Sequence, residues 1–263
     1  MKKYIDYVRI AFREHVVYKN AVIAKLLSKV IYLYLQYHIW DALFSSNSMK
    51  NYLVSKNNTL RYVVVATLIS CLMECNIIDK INASIQSGNV AMDLLRPMNY
   101  KKMYFAKSLG DTMAKLLFYF LPLVIFISYI FPFAILCKKQ FVAGIISVLL
   151  AYGIQFYYSL MIGLLAFWLI VTWPINMFLD AIYKLLSGIW IPVTMFPDAL
   201  RRLGNFFPFQ AIYSIPITIL TQQQDQFVIM QFFAIQIFWL VLLWLGTGLI
   251  WRMGRRKLCV QGG

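Results

Sequence analysis

The chain has 263 residues, of which 61% are hydrophobic, 17% are aromatic and only 13% are charged. Soluble domains carry about 25% charged residues, and the apolar runs of about twenty residues that recur here can each cross a bilayer core of roughly 30 Å. The formal net charge of +15 does not indicate nucleic-acid binding, because the basic residues flank the apolar runs, a distribution that membrane topology explains. We therefore expect an all-α polytopic membrane protein, with one membrane domain over residues 1–263 and the lipid bilayer as its surroundings.

The first predicted element is an amphipathic helix over about residues 4–18, within an N-terminal segment that covers residues 1–20. Ile5, Val8, Phe12 and Val16 fall on one stripe at helical spacing. We expect this helix to lie in the membrane interface, where its apolar stripe can be buried beside the spans that follow. No apolar stretch of signal-peptide length follows the basic N-terminus, so no cleavable signal is expected.

Six membrane-spanning helices are predicted after this segment, and an even number puts both termini on one side. That side carries fourteen basic residues against six on the other, a bias that marks the cytoplasmic side of a membrane protein. The predicted spans cover about residues 21–44, 60–78, 109–136, 141–171, 175–194 and 227–251.

The stretch SGNVAMDLLRPMNYKKMY, residues 87–104, interrupts the apolar runs inside a cytoplasmic loop predicted over 79–106. Ser87 or Asn89 can begin a short helix with the sequence VAMDLLR. Pro97 marks its end, because the residue before a proline disfavours the helical conformation.

This short helix is predicted to have an apolar side made of Val90, Leu94 and Leu95. Such a side needs a covering surface, either the lipid surface or a partner protein. Basic residues beside it, Arg96 among them, can pair with acids on a partner or can simply follow the positive-inside bias.

The outer segment over residues 195–226 is too apolar for a free loop. We expect a short amphipathic helix near 198–206, followed by a half-buried re-entrant segment that returns toward the membrane between the fifth and sixth spans. Non-helical backbone at that depth is tolerated only under protein or in a water cavity, so this segment is predicted to cover a central pathway. The alternative is an interfacial cap with no pathway beneath it.

Charged residues inside a membrane are costly, and Glu74 and Asp180 are the clearest cases. Asp180 and Lys184 are four residues apart on one predicted helix, so they can neutralise each other as a structural ion pair or contribute a proton relay or substrate contact. His38 and Asp41 can pair in the same way, three residues apart.

Catalytic motifs are absent from the sequence. It contains no G-x-x-x-x-G-K-[ST] phosphate-binding loop, no H-E-x-x-H zinc motif and no G-x-S-x-G nucleophile motif. The four cysteines do not have metal-ligand spacing. We therefore expect no catalysis, metal or cofactor in this chain.

Several motifs occur in a fixed order along the chain. A cytoplasmic I-x-x-G-x-x-x-x-x-L-L-R-P precedes an outer SGIWIPVTMFPDALRRLGNFFPF, which is followed by YSIPITIL and a tail that ends RRKLCVQGG. In this order and spacing the chain resembles the ABC type-2 permease family, the membrane half of ATP-driven exporters. More narrowly, it resembles the bacterial subgroup whose chains end in a basic tail with a terminal Gly-Gly.

The resemblance implies that the 89–97 helix is a coupling helix that docks on a separate ATPase subunit, present in two copies and binding ATP and magnesium itself. The docking residues would be Asn89, Val90, Asp93, Leu94, Leu95, Arg96 and Pro97. The N-terminal helix would be a connecting helix beside it. The complex would lie in the bacterial cytoplasmic (inner) membrane. Its second permease would be a different homologous chain, with a second copy of this chain as the alternative.

The resemblance also implies that the second and fifth spans face the partner permease and the pathway, which would place Asn176 and Asp180 near the pathway. The 195–226 segment would be an extracellular gate, with Phe206, Phe207 and Phe209 as apolar plugs. Alternating access driven by the ATPase pair is the expected mechanism. An ion-gradient-driven secondary transporter or channel is the alternative, and a membrane assembly or sensory component that moves nothing is a further one.

Overall fold

The computed structural model describes residues 2–46, 55–74, 76–96, 98–130, 138–169 and 172–257. Within these ranges the chain forms thirteen α-helices and no strand, which confirms the all-α prediction. The helices are Lys2–Val17 (α1), Lys19–Ser45 (α2), Lys56–Met73 (α3), Ile77–Gln86 (α4), Val90–Leu95 (α5), Tyr100–Lys115 (α6), Leu121–Ile130 (α7), Phe141–Leu164 (α8), Trp173–Leu186 (α9), Asp198–Asn205 (α10), Phe209–Ile212 (α11), Ser214–Thr221 (α12) and Gln226–Gly254 (α13). A π-helical segment joins α6 to α7, and short 3₁₀ turns are found at Lys138–Gln140, Leu165–Phe167, Val193–Met195 and Arg255–Lys257.

Four helical stretches of the described residues are long and apolar enough to cross a membrane, namely Lys56–Gln86, Tyr100–Tyr129, Phe141–Phe167 and Gln226–Lys257. They contain most of the second, third, fourth and sixth predicted spans. The predicted range 141–171 is too long, because the α-helix ends at Leu164 and a single 3₁₀ turn follows it. At 1.5 Å per residue α8 is about 36 Å long, which fits a bilayer with a modest tilt.

The first and fifth predicted spans correspond to α2 and α9, which are not among these four stretches. Helix α2 has 27 residues, but lysines and an aspartate lower its apolar character. Helix α9 has only 14 residues, a rise of about 21 Å against a core of roughly 30 Å. It ends at Leu186, so the predicted range 175–194 is too long, and the count of six spans stays a prediction.

The predicted cytoplasmic loop over 79–106 is mostly helical. Most of α4, the whole of α5 and the first turns of α6 lie within it. The side chain of Asn99 accepts a hydrogen bond from the backbone N–H of Lys102 at 3.2 Å and caps the start of α6. Because of this cap, the third span's helix begins at Tyr100 and not near residue 109.

Helix α1 packs along α6 at very short range. A Cβ atom added at Gly110 of α6 would lie only 2.2 Å from the backbone oxygen of Val8, so only glycine permits this approach. Ala11 is the most buried residue of α1, whereas Ile5 and Val16 of the predicted stripe are exposed. Helix α1 therefore packs on α6 with one part of its surface, while two residues of the predicted apolar stripe face outward.

Helix α8 lies at the centre of the fold and contacts α3, α4, α11, α12 and α13. Small residues allow these contacts: a Cβ at Gly144 would lie 2.2 Å from a methyl group of Leu220. One polar cluster joins the layers, because the side-chain amide of Gln236 donates to the backbone oxygens of Ser147 and Ala211 at 3.1 and 2.9 Å. Ser147 donates in turn to Gln236 Oε1 at 3.0 Å.

The outer segment after α9 folds as three short helices. The helix predicted near 198–206 is confirmed as α10, and the segment behind it forms α11 and α12, which are almost wholly buried against α8 and α3. Gly188 ends α9 with φ +81°, and its backbone oxygen accepts a hydrogen bond from Tyr62 of α3 at 2.8 Å. The outer segment is thus fixed to α3; its depth in a membrane stays a prediction.

Candidate functional site

Helix α5 has six residues, with one side buried in the protein and the other exposed. Val90 is 0% exposed and packs with Ile77 and Ile81 of α4 and with Tyr104 of α6. Val90 therefore anchors the helix to the protein and cannot contact a partner, which corrects its predicted place on one apolar docking side.

The opposite side of α5 is open. Met92 is 61% exposed and Leu95 is 81% exposed, so two large apolar side chains project outward from a six-residue helix. The side chain of Leu94 and all of Pro97 lie outside the described residues. Sequence reasoning included Leu95 and missed Met92, although its spacing of three residues from Leu95 places both on one helical face.

Polar contacts fix α5 to its neighbours. Arg96 donates a hydrogen bond to the hydroxyl of Tyr7 on α1 at 2.5 Å and lies 3.7 Å from the carboxylate of Asp93. Asp93 also accepts a bond from Ser84 of α4 at 3.4 Å. Arg96 and Asp93, both predicted docking residues, therefore have partners inside the chain, and Asn89 is exposed at the start of the helix.

A charged network lies where α3 ends and α4 begins. Glu74 leaves the helical conformation, and its backbone oxygen accepts a hydrogen bond from the ammonium group of Lys115 at 2.5 Å. Lys115 is 1% exposed and pairs with Asp111 one turn earlier on α6 at 2.5 Å. Asp111 also contacts Nε2 of His15 on α1 at 2.6 Å.

The side chain of Glu74 extends this network to α2, where it pairs with Lys29 and, at 3.3 Å, with Lys25. One connected set of charges thus links α1, α2, α3 and α6. Sequence reasoning noted Glu74 but missed Asp111 and Lys115. Their i,i+4 spacing inside an apolar run was the signal that could have revealed them.

The network borders a cavity of about 380 Å³ between α2, α3, α8, α9 and the outer segment. The two predicted pathway residues, Asn176 and Asp180, both line it. Asp180 forms the predicted ion pair with Lys184 at 2.6 Å, and both side chains are partly exposed. The carbonyl oxygen of the Gln155 side chain and the hydroxyl of Tyr158 are buried at this cavity and have no hydrogen-bond partner among the described residues.

The three predicted gate phenylalanines differ in exposure, and their role as plugs stays a prediction. Phe206 is 77% exposed, Phe207 is less exposed, and Phe209 is buried in the core. The rings of Phe207 and Phe209 stack with centroids 5.3 Å apart, and Phe209 also packs edge-on against the cavity residue Tyr158 at 5.4 Å. Only Phe209 therefore lies directly next to the cavity wall.

The predicted pair of His38 and Asp41 is wrong. Asp41 pairs with Lys56 at the start of α3 at 2.6 Å, while the ring of His38 packs on Tyr34 with centroids 4.3 Å apart. The carboxylate therefore connects two helices instead of two turns of one helix.

A sequence model described as ABC-2 family transporter protein matches residues 30–262 of this chain. The match begins within α2 and runs to the C-terminal tail; α1 and the network residues Lys25 and Lys29 of α2 lie before it. The chain belongs to the ABC-2 transporter family. No curated protein and no solved structure gives a significant match to it.

Membership makes this ABC-2 chain a multi-pass membrane protein of a transporter, and it implies an ATPase partner. The four long apolar helical stretches agree with a permease. The cavity and the exposed face of α5 are the two features of the described residues that are considered below as binding sites.

Proposed function

We propose that this chain is the transmembrane permease subunit of an ATP-driven exporter, and that a separate ATPase docks on the cytoplasmic helix of residues 89–97. One observation carries the proposal: Met92 and Leu95 are exposed on a helix whose other side is fixed inside the protein. Apolar side chains on one face of a short helix suit a groove on a partner protein. Burying both would stabilise the docked state by about 1.5–3 kcal/mol for each side chain.

The contacts of α5 provide a route for force. Movement of the ATPase would pull on Val90, which packs against α4 and against the first turns of α6. Helix α6 continues into a candidate membrane span, and α4 continues from α3 through the charged network at Glu74. Displacement of α5 would therefore move α4 together with the end of α3, and also the start of α6, all on the cytoplasmic side.

In this proposal transport follows alternating access. The cavity beside Asn176 and Asp180 would take the transported molecule, and the outer helices α10 to α12 would cover it on the far side. Two ATPases would bind ATP and magnesium, and a second, homologous permease would complete the pathway. The bias of basic residues supports cytoplasmic termini. Six spans and a location in the bacterial cytoplasmic membrane are part of the proposal.

The test replaces Met92 and Leu95 together by Asp in the intact complex, purified from its native membrane in mild detergent. We expect the ATPase to be lost from the complex while the permease still folds, because two desolvated carboxylates oppose docking. Met92→Leu with Leu95→Met is the matched control, since it keeps the face apolar. Full ATPase recovery with the Asp variant would refute docking on α5.

The same preparation separates the exporter from the ion-gradient-driven alternative. ATP hydrolysis that is stimulated by the transported molecule would support the exporter. Uptake or release driven by an imposed ion gradient, with no ATPase in any preparation, would refute it. Asp180 gives the alternative no advantage, because its charge is already paired with Lys184.

A further inference from the structure

Two grooves on the surface of the candidate membrane spans meet at Lys101 of α6 and Trp244 of α13. Groove A has a volume of about 670 Å³ and lies between the start of α6 and the C-terminal half of α13. Groove B has a volume of about 630 Å³ and lies between α1, α6, α8 and α13. Apolar side chains dominate both grooves: Leu245, Leu249 and Trp251 in groove A, and Phe105, Leu109 and Leu240 in groove B.

Three cations line one end of groove A, namely Lys101, Arg252 and Arg255. In the part of the chain that the structure describes, no acidic residue lines either groove. Positive charge without a neighbouring carboxylate, at the end of an apolar groove, is complementary to a molecule with an anionic head and an apolar body.

The position of Lys101 is fixed by its neighbours. Its ammonium group donates a hydrogen bond to the hydroxyl of Thr247 at 3.3 Å. A Cβ added at Gly248 would lie 3.4 Å from the same nitrogen, so the ammonium group rests against the α13 surface at a residue without a side chain. Lys101 is therefore a held cation that lies where the two apolar grooves join, and Lys102 lines groove B beside it.

The depth of the grooves matches one leaflet. From Leu240 to Arg252 the helix rises about 18 Å. Half of a bilayer core is about 15 Å. The apolar part of the surface thus spans about one leaflet, and the cations lie at its cytoplasmic end in the topology proposed above.

We propose that grooves A and B bind one anionic diacyl phospholipid. One acyl chain lies in each groove, and the phosphate lies at Lys101, Arg252 and Arg255. Guanidinium groups bind phosphate oxygens in pairs, and the indole of Trp244 lies between the two chains. No residue of α5 lines either groove, so lipid binding can be measured separately from ATPase docking.

The test titrates the purified complex with dioleoyl phosphatidylglycerol or dioleoyl phosphatidylcholine and counts bound lipids by native mass spectrometry. We expect one tightly bound phosphatidylglycerol per chain and no phosphatidylcholine at the same concentration. Each cation near the membrane surface contributes about a fivefold effect. The triple variant Lys101→Gln, Arg252→Gln, Arg255→Gln should therefore weaken phosphatidylglycerol binding on the order of 100-fold.

The matched control removes the same charge from cations outside the grooves: Arg9→Gln, Arg13→Gln and Lys19→Gln, all exposed. It should change phosphatidylglycerol binding by less than about threefold, since only the general field near the membrane is altered. Gly248→Leu is the second variant; it keeps every charge and fills groove A, and it should also abolish tight binding.

Three results would overturn the site. Equal binding of the two lipids would remove the charge argument. Equal loss in the control and groove variants would assign binding to net charge alone. Displacement of the lipid by millimolar inorganic phosphate would assign the cations to a soluble anion.

Discussion

Lys115 provides the sharpest test of the charged network. Its ammonium group is almost wholly buried and contacts the carboxylate of Asp111 and the backbone oxygen of Glu74, each at 2.5 Å. Replacing it by Met removes the ammonium group and keeps most of the apolar volume of the side chain. The change leaves a carboxylate and a freed helix-end carbonyl buried without their main partner.

The expected loss follows from these two contacts. Removing one member of a buried ion pair costs about 3–5 kcal/mol, because the other charge stays buried without compensation. His15 still contacts Asp111 at 2.6 Å and reduces the cost toward the lower limit. We therefore expect Lys115→Met to lower the free energy of unfolding by about 3 kcal/mol.

The assay is reversible unfolding in mixed micelles, with Lys184→Met as the matched control. Lys184 pairs with Asp180 at the same i,i+4 spacing, but both side chains are partly exposed, so its loss should cost at most about 1 kcal/mol. The double variant Lys115→Met with Asp111→Asn removes both charges and should recover about 0.5–3 kcal/mol relative to the sum of the single changes. Equal losses at Lys115 and Lys184, or strictly additive losses at Lys115 and Asp111, would refute the network.

Two further predictions address close contacts. Gly110→Ala should push α1 away from α6, because the new methyl would lie 2.2 Å from the backbone oxygen of Val8. We expect the free energy of unfolding to fall by about 1–3 kcal/mol and proteolysis of α1 to become faster. Gly246→Ala is the control, because its nearest neighbour is the Met161 sulfur at 3.9 Å, and equal losses in the two variants would contradict the contact. Tyr62→Phe should cost about 1–3 kcal/mol because it leaves the backbone oxygen of Gly188 unpaired, and hydrogen exchange should rise at the end of α9; unchanged exchange there would show that this bond does not hold the outer segment.

The helical class of this chain follows directly from its sequence, because long apolar runs without strand-like alternation leave few other possibilities. Local signals also worked where they were strong: the helix at α10 and the ion pair of Asp180 with Lys184 are both found. The helix bounds were less accurate. Hydropathy reads the apolar run but not the cap at Asn99 or the turn at Gly188, which decide where α6 begins and α9 ends.

The charged network shows why the contacts of the candidate site could not be predicted from the sequence. Its members come from four helices. The i,i+4 spacing of Asp111 and Lys115 inside an apolar run marks them as a pair, but the sequence does not show that the pair is buried or that His15 and Glu74 contact it. The burial of this pair depends on the packing of α1 on α6. That packing is possible because Gly110 has no side chain. Sequence periodicity identifies which residues share a face but not which other helix covers that face.

The same packing gives the proposed force route its physical basis. Helix α5 is fixed to α1 through Arg96 and Tyr7, and α1 is fixed to α6 at Gly110 and through His15 and Asp111. A pull on α5 therefore acts on α6 at two heights, directly near Tyr104 and through α1 near Asp111. Since Lys115 then connects α6 to the break at Glu74, which borders the cavity, a movement of the docking helix can change the cavity without bending a continuous helix. Uncoupling of transport with ATPase binding intact is thus the expected phenotype of Asp111→Asn, whereas loss of ATPase binding is expected only at Met92 and Leu95.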